Sequence, residues 1–480
     1  MMRKKITLII SILIFGLGGF SQETFFSAIN NETDLYCTDI IETTNNDFIV
    51  TSIGVIYGSP VRIQTHLYKM NRNGVLIDSL IISADKSCLL KKTLELDNGN
   101  YISWGSYQTD DPDVYDFWQI IFDNEFNILE EVFYPNDGGQ VLKINSVIRE
   151  NRNISIVVSF GTDANIPSRT DFFISEINQV GEIIRDSIFD IGLHNFTFDI
   201  DYLQTNNLYY LTTRNGFTEK TESEILVMDT NFVVVDKFNT WETEIGESRS
   251  INFLTDTTFL FSGNYRPNDK QKGNFLLGIY KYDTNFNELS HKYIGGTDTL
   301  RYSGVFNNLD FTDINNIYFG STKNFLYDVN QWTSQPSWLQ LDILNDDLAI
   351  LKEKYYGGDA YYIVYYVLAT SDGGAVLMAT KYEHGDYGPY ERDIVLLKVD
   401  ENGLITSNNG ELPIPIKNAI VLPNPGHDYL ELHTAEYPSE LLLYDINGKI
   451  VKSEEIHQNK TRINTKNLNS ATYIWQVCFY

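Results

Sequence analysis

Short runs of apolar residues alternate with polar ones along most of the chain, and clusters of Asn, Asp and Gly break the runs apart. In the first unit the pattern predicts four strands, roughly Thr38–Thr43, Phe48–Gly54, Arg62–Asn71 and Val75–Ile82. Val, Ile, Phe, Tyr and Thr dominate them, as half-buried strands require. No long segment carries an apolar stripe of period 3.6. A short turn followed by an apolar strand then recurs. The strands open at Phe48, Tyr101, Ile154, Leu208, Phe259, Ile317 and Ala375, with spacings of 53, 53, 54, 51, 58 and 58. A second marker runs in phase with the first, a polar turn between two strands beginning at Asn71, Asp123, Asn178, Asp229, Asp283, Asn345 and Asp400. Asn, Asp and Gly suit such turns because they tolerate left-handed or side-chain-bonded conformations.

Four antiparallel strands per unit, a period near 50 and seven copies predict an all-β fold, a seven-bladed β-propeller of four-stranded antiparallel blades. In period the array resembles the general propeller superfold and kelch-like or PQQ-like arrays. It lacks the WD dipeptide and a regular kelch double glycine, so no propeller family is assigned. The outer strand of the seventh unit shrinks to Leu404–Thr406, while Glu23–Ile29 near the start of the chain is strand-like. The expectation is that Glu23–Ile29 completes the last blade and closes the ring, removing an open sheet edge.

With the strands of a blade labelled A to D from the axis outward, the short A–B and C–D turns share one face. The B–C and D–A loops share the other. The B–C loops vary in every unit: Gln108–Phe117, Arg266–Asn274, Asn324–Trp338 and Tyr382–Arg392. Variable loops on a rigid scaffold are where binding usually resides. Candidate ligand contacts there are Trp332, Trp338, Tyr387, Tyr390 and His384, since aromatic side chains stack on sugar rings or anchor protein partners. The alternative for the two tryptophans is packing of a long loop onto its own blade. Asp110, Asp111, Asp113 and Asp116 form a candidate Ca²⁺ site, hard cations taking carboxylate oxygens. The alternative is a solvated acidic loop. His384, Asp386, Glu391 and Asp393 stand together with the two tyrosines as a candidate acid–base or metal group, against a charged rim loop. No HExxH, GxSxG, P-loop or GxGxxG motif is present.

The charge balance, 36 Lys+Arg against 64 Asp+Glu for a net −28, argues against a nucleic-acid surface. Aromatic content of 14% and hydrophobic content of 42% mark a core-building chain instead of an acidic tail. Three cysteines exclude a disulfide scaffold. Cys37 and Cys88 precede neighbouring strands and form the one candidate disulfide pair. The mean hydropathy of −0.23 excludes a multi-span membrane protein.

Residues 1–21 read as a secretory signal peptide. Arg3, Lys4 and Lys5 precede the apolar run Ile6–Leu17, and Gly19 and Ser21 occupy the −3 and −1 positions of a cleavage site before Gln22. The alternative is an uncleaved anchor, for which the run is short. The leader carries three cations and no acid, so its removal leaves a net −31. A field of one sign keeps an exported protein soluble and favours cations and basic partners. After the propeller over 22–408 comes a polar linker, 409–418, and a final unit, 419–480.

That final unit contains Asn424-Pro425 followed by Asp428-Tyr429-Leu430. It continues with Leu443-Tyr444-Asp445-Ile446-Asn447-Gly448-Lys449-Ile450-Val451 and ends on Leu468-Asn469-Ser470-Ala471-Thr472-Tyr473. The ordered motifs resemble the type A C-terminal sorting domain of the type IX secretion system, with Asn424, Pro425, Asp428, Gly448, Lys449 and Tyr473 at the motif positions. Ala471 stands where that family usually has Gly, and the family usually continues into one more, Lys-containing strand beyond the equivalent of Tyr480. The alternating segments Tyr429–Leu432, Glu440–Tyr444 and Tyr473–Val477 predict a small antiparallel sandwich, with Asn447-Gly448 as a hairpin turn. The resemblance implies delivery by the type IX machinery to the cell surface or the medium, by way of the periplasm. The leading expectation is an exported, non-catalytic binding module with a carbohydrate or protein ligand and no integral membrane segment after cleavage. The alternatives are a propeller enzyme using carboxylates at the channel mouth on polysaccharide, and an adhesion component of the envelope.

Overall fold

The computed structural model describes residues 22–479 apart from 31–32, 83–84, 136–140, 149–152, 162–169, 190–194, 216–221, 241–244, 266–275, 297–299, 333, 384–390, 406–419, 423–427, 435–437, 446–448, 459, 470 and 472. The predicted signal peptide, linker and hairpin turn fall outside them. Seven antiparallel sheets follow one another along the chain, six built from consecutive strands in the order A-B-C-D. Blade 1 comprises Asp34–Glu42, Phe48–Ile56, Arg62–Met70 and Leu76–Ile82. Blade 7 comprises Tyr361–Ala369, Ala375–Tyr382 and Asp393–Val399, and takes its fourth strand from Phe25–Ile29. Each blade contacts the next, and blade 7 contacts blade 1, so the sheets form a closed ring with the A strands innermost. This is the β-propeller that the repeat spacing predicts.

Phe25–Ile29 pairs antiparallel with Asp393–Val399, from Phe25 opposite Lys398 to Ile29 opposite Ile394. Phe25 and Ile29 join the apolar layer between blades 7 and 1, and Phe26 joins the layer between blades 6 and 7. The chain's first described strand is thus buried on both sides. Leu404–Thr406, the short seventh outer strand expected from sequence, is not formed at its described residues.

The C–D turns repeat almost atom for atom. In blades 1 to 5 and 7 the Oδ1 of the opening Asp or Asn accepts backbone N–H groups two and four residues later, as Asp123 does from Glu125 and Asn127 at 2.9 Å each. The residue three places after each opening residue is left-handed in all seven turns: Gly74, Phe126, Gly181, Phe232, Phe286, Leu348 and Gly403. Phe and Leu pay a steric cost there, which is offset by burying the ring or the isobutyl group against a neighbouring blade, as at Phe126, Phe232 and Leu348. Where glycine stands, a neighbour already fills the space. A Cβ on Gly74 would lie 2.3 Å from the Phe25 ring of the closing strand.

The A strands carry a second repeated device, which the sequence reading missed. In six blades the A–B register slips by one residue, between Cys37 and Asp39, Leu90 and Lys92, Val141 and Lys143, Thr197 and Asp199, Ser248 and Ser250, and Val364 and Tyr366. Such bulges kink a strand and re-aim its side chains. The bulge also resets the alternation, which is why the first strand begins at Asp34 and not at Thr38. In blade 6 the A strand is split outright into Arg301–Ser303 and Leu309–Asp313. The intervening residues bond to blade 7 instead, through Phe306 N–H to Tyr365 O and Val367 N–H to Asn307 O.

The C-terminal unit is two three-stranded sheets. One holds Ile420–Leu422, Tyr429–His433 and Lys460–Asn464; the other holds Ile450–Ile456, Ser439–Tyr444 and Ile474–Phe479. Leu432, Leu441, Leu443, Ile456 and Ile463 form its core.

Candidate functional site

The bulges bring polar side chains to the axis. Lys92 Nζ lies 2.9 Å from Asp39 Oδ1 and 2.9 Å from the Tyr366 hydroxyl, joining blades 1, 2 and 7. Burial works against the Lys92 charge, but Asp39 and Tyr366 outweigh it and hold the ammonium well above its ordinary range. Across the axis stand Asp199 and Asp201 of blade 4 and Asp310 of blade 6. Each aspartate spans two blades. Asp39 Oδ2 accepts from Thr93 N–H at 2.8 Å, Asp199 Oδ2 from Ile251 N–H at 2.9 Å, Asp201 Oδ2 from Phe253 N–H at 2.8 Å and Asp310 Oδ2 from Ala369 N–H at 2.9 Å. The second oxygens of Asp199, Asp201 and Asp310 accept the backbone N–H of the following residue. The inner edge of a propeller leaves backbone donors without a strand partner, and these carboxylates supply one.

Loss of water pushes Asp199 up to about 7 and Asp201 and Asp310 up to about 6, against an ordinary value near 3.8; backbone hydrogen bonds restrain all three shifts. Asp199 and Asp201 are only half-buried, so solvent screens part of their charge. A carboxyl raised in the folded state binds protons that the unfolded chain releases, so its contribution is complete below about pH 4 and lost as pH rises towards 7. Asp199→Asn keeps an oxygen for Ile251 N–H and removes the charge, but turns an NH2 group towards Ile200 N–H at every pH. Thermal melts should therefore show the variant gaining about 1–2 kcal/mol on the parent between pH 4 and pH 8, once solvent screening is allowed for. Equal melting offsets at both pH values would show that the charge is not what matters.

On the B–C/D–A face, blades 6, 7 and 1 gather an aromatic corner. Trp332 stacks on Tyr361 at 5.3 Å and 9° and meets the Tyr382 ring edge-on at 4.9 Å. Its indole N–H donates to Leu326 O at 2.8 Å. The long loop thus packs on the next blade around, and half-buried Trp332 is part of that packing. Arg392 forms a buried bidentate pair with Asp34 and lies over the Tyr36 ring. Desolvation pulls the guanidinium down to about 10, and Asp34 opposes the shift. Tyr57 donates to Asp34, and the buried Tyr382 hydroxyl has no hydrogen-bond partner among the described residues. Among the described residues, Tyr57 and Tyr327 are the exposed aromatics of this corner. Tyr327 lies within the tryptophan-bearing loop Asn324–Trp338, whereas Tyr57 stands outside every loop that the sequence singles out.

The other predicted residues are dispersed. Trp338 is the first residue of a C strand, not a loop residue, and packs its indole against Gly358. Asp116 lies within strand Tyr115–Phe122. Asp110 is fully exposed and pairs with Lys86 at 2.6 Å, while Asp111 turns its carboxylate to the N–H of Asp113. The four do not converge, and among the described residues no group of three His, Cys, Asp or Glu is placed to hold a metal. The candidate Ca²⁺ site is not assembled there, because a lysine and a backbone N–H occupy two of its carboxylates. His384, Asp386, Tyr387 and Tyr390 lie outside the described residues. Cys37 and Cys88 are buried and not joined by a disulfide, and Cys88 donates to Ile82 O at 3.2 Å.

In the C-terminal unit, Thr465 N–H donates to Asp428 O at 2.9 Å and Lys466 approaches the Asp428 carboxylate. Asp445 and Lys449 close the hairpin, with Lys449 N–H donating to Asp445 Oδ1 at 2.9 Å. The Tyr473 hydroxyl donates to Asn469 O at 2.8 Å. The motif residues thus fix turns; Asn424, Pro425 and Gly448 are outside the described residues. Residues 420–478 match the family model described as the secretion system C-terminal sorting domain. The C-terminal unit is a type IX sorting domain. It implies secretion through that system and interaction with its machinery. No curated protein matches the chain in sequence.

Among solved structures, the chain is similar to the β-propeller domain of the Trilobed protease from Pyrococcus furiosus, at 10% identity, covering 81% of this chain and 99% of that one with a TM-score of 0.41. It is also similar to the extracellular domains 1–2 of Drosophila Semaphorin 1b (7% identity, 93% and 97% covered, TM-score 0.43). A third is an α-L-arabinofuranosidase from Fusarium graminearum with an iminosugar inhibitor (9%, 79% and 98%, TM-score 0.42). Among the described residues no helix is long and apolar enough to cross a membrane.

Proposed function

We propose that the protein is an exported β-propeller that binds a ligand or partner, without catalysis, through its B–C/D–A face, and that the segment 1–21 is the signal peptide that starts its export. One contrast carries the reading. The C–D turns present a uniform face built from one repeated turn, whereas the opposite face gathers aromatic side chains and Arg392 at the junction of blades 6, 7 and 1. The axial carboxylates speak against the alternative of a polysaccharide-cleaving enzyme, because the oxygens of Asp39, Asp199, Asp201 and Asp310 already accept hydrogen bonds from Lys92 or the backbone. A general acid or a nucleophile needs an oxygen turned to substrate.

A glycan array with the purified propeller, run beside a hydrolase screen, tests the reading. Tyr57→Ala and Tyr327→Ala are the informative variants, since both side chains are exposed, whereas removing Trp332 would also disturb packing. A true contact should weaken binding by roughly thirtyfold, the ~2 kcal/mol of an aromatic hot spot. Changes at Glu125 or Glu401 on the turn face should leave it alone. Binding that follows the turn-face variants, or turnover of a glycan, would overturn the proposal.

A further inference from the structure

The outer strands of blades 1 to 6 share one geometry. Each pairs with its C strand through a bulge at its first residue, and three residues further on comes a position at or beside the middle of the strand. That position holds Glu131 in Ile128–Tyr134, Asp186 in Ile183–Phe189, Lys237 in Val234–Asn239, His291 in Glu288–Ile294 and Glu353 in Ile350–Gly357. In Leu76–Ile82 of blade 1 it holds Ser79. The blade 1 strand carries a single charge, Asp78, where the other five carry two or three. It ends its sheet, and among the described residues no strand pairs with its free side. Ile77 is 52% and Ile81 49% exposed there.

Ser79 shows which groups face that free side. Its N–H is bonded at 2.8 Å by the Oδ1 of its own neighbour Asp78, and Lys237 N–H in blade 4 is held by Asp236 in the same way. Residues of an antiparallel strand alternate between its two edges, so Ile81 faces the free side with Ser79. Such an edge is a template for another strand. If the added strand is its own copy, related by a two-fold axis, the pairing centres on one residue, and that residue meets itself. In blades 2 to 6 the central residue is ionisable, and four of the five pairings would set like charges directly opposite, which is destabilising. Blade 1 puts a serine there. Centring on Ser79 pairs the whole strand: Ile77 meets Ile81, Leu76 meets Ile82 and Asp78 meets Leu80, so no acid lies directly opposite an acid. The local charge agrees, since Asp34–Ile82 holds five acids and three bases in a chain of net −28.

We propose that Leu76–Ile82 is a dimerisation edge, pairing antiparallel with the same strand of a second copy so that one eight-stranded sheet runs across two propellers. A single strand pair covers less than the roughly 1,200 Å² of a stable interface, so the dimer is weak and concentration-dependent. Asp78 tempers it, because its carboxylate must release Ser79 N–H before the copy's Ser79 C=O can accept that group. Sedimentation velocity on the full chain from Gln22, from about 1 µM to about 0.5 mM, is the test. The parent should pass from monomer to dimer across that range, and at lower concentration in high salt, which screens the repulsion between two acidic copies. Ser79→Lys, which gives blade 1 the charge that blade 4 carries, should weaken the dimer at least tenfold. Asp78→Ala, which frees Ser79 N–H, should strengthen it severalfold. Glu130→Lys, on the edge of blade 2, should leave it unchanged. Melting curves establish that the three variants are folded. A parent that stays monomeric at the highest concentration overturns the proposal, as does a Ser79→Lys variant that dimerises like the parent. A dimer that weakens as much with Glu130→Lys as with Ser79→Lys is built on another surface, and the assignment to blade 1 falls.

Discussion

Deleting residues 22–29 should leave a protein that no longer melts as one cooperative unit and that proteases cut within blade 7. Among the described residues, the closing strand is the one segment from the start of the chain that pairs into the last blade's sheet. Burying Phe25, Phe26 and Ile29 contributes roughly 1.5–3 kcal/mol each, which together approaches the whole stability of an ordinary domain, about 5–15 kcal/mol. Polar ties lie beside it: Lys398 Nζ donates to Glu23 O at 2.6 Å, and Gln22 bridges Asp372 O and Glu401 N–H. What would remain across the junction of blades 7 and 1 is an apolar layer stripped of Phe25 and Ile29, the Asp34–Arg392 pair, the bond from Leu35 N–H to Arg392 O and the bonds from Ser371 to Glu42. These cannot cover the exposed edge of Asp393–Val399, an apolar strand that would then invite pairing with other chains. Phe25→Ala is the milder form and should cost about 3–5 kcal/mol. A deletion variant with an unchanged melting midpoint would mean that ring closure is not what holds the fold.

That strand was legible because its apolar residues had no other place in the repeat count. The turns were legible for a related reason: an Asx side chain that accepts N–H groups two and four residues on is a local device, written in consecutive residues. The two longest spacings also have local causes. The split A strand of blade 6 lengthens the first, and the loop between Asn316–Lys323 and Trp338–Leu344 lengthens the second. The axis was not legible. Nothing near Asp199 in sequence distinguishes it from the other acids, and it reaches the channel through a bulge whose only trace is a broken alternation at Thr197-Phe198-Asp199. Its partner, Ile251 N–H, belongs to the next blade. The polar row Ser303, Ser321 and Gln340 of blade 6 is hidden in the same way, since it forms only once three strands are in register. Trp338 stands out by its residue type, and its place at the start of a strand comes only from the fold.

Replacing Leu441 by Asp should block export as completely as removing residues 420–480, while the propeller still folds. Leu441 lies on Ser439–Tyr444, the central strand of its sheet, paired with Glu454 on one side and Val477 on the other. Among the described residues it is one of five buried apolar side chains that form the core of the sorting domain. A carboxylate there loses its hydration with no cation to pair with, a cost of several kcal/mol. A module this small buries too little surface to absorb that. If the machinery reads the folded sandwich, a single core charge must act like deletion. Cells producing Leu441→Asp should then hold the protein in the periplasm with its propeller resistant to protease, and none should reach the surface or the medium. A surface change at Lys449, beside the hairpin that Asp445 closes, should leave the sandwich folded. Its effect on export would report recognition of the motif and not folding. Wild-type levels of Leu441→Asp in the medium would show that an unfolded tail suffices as the address.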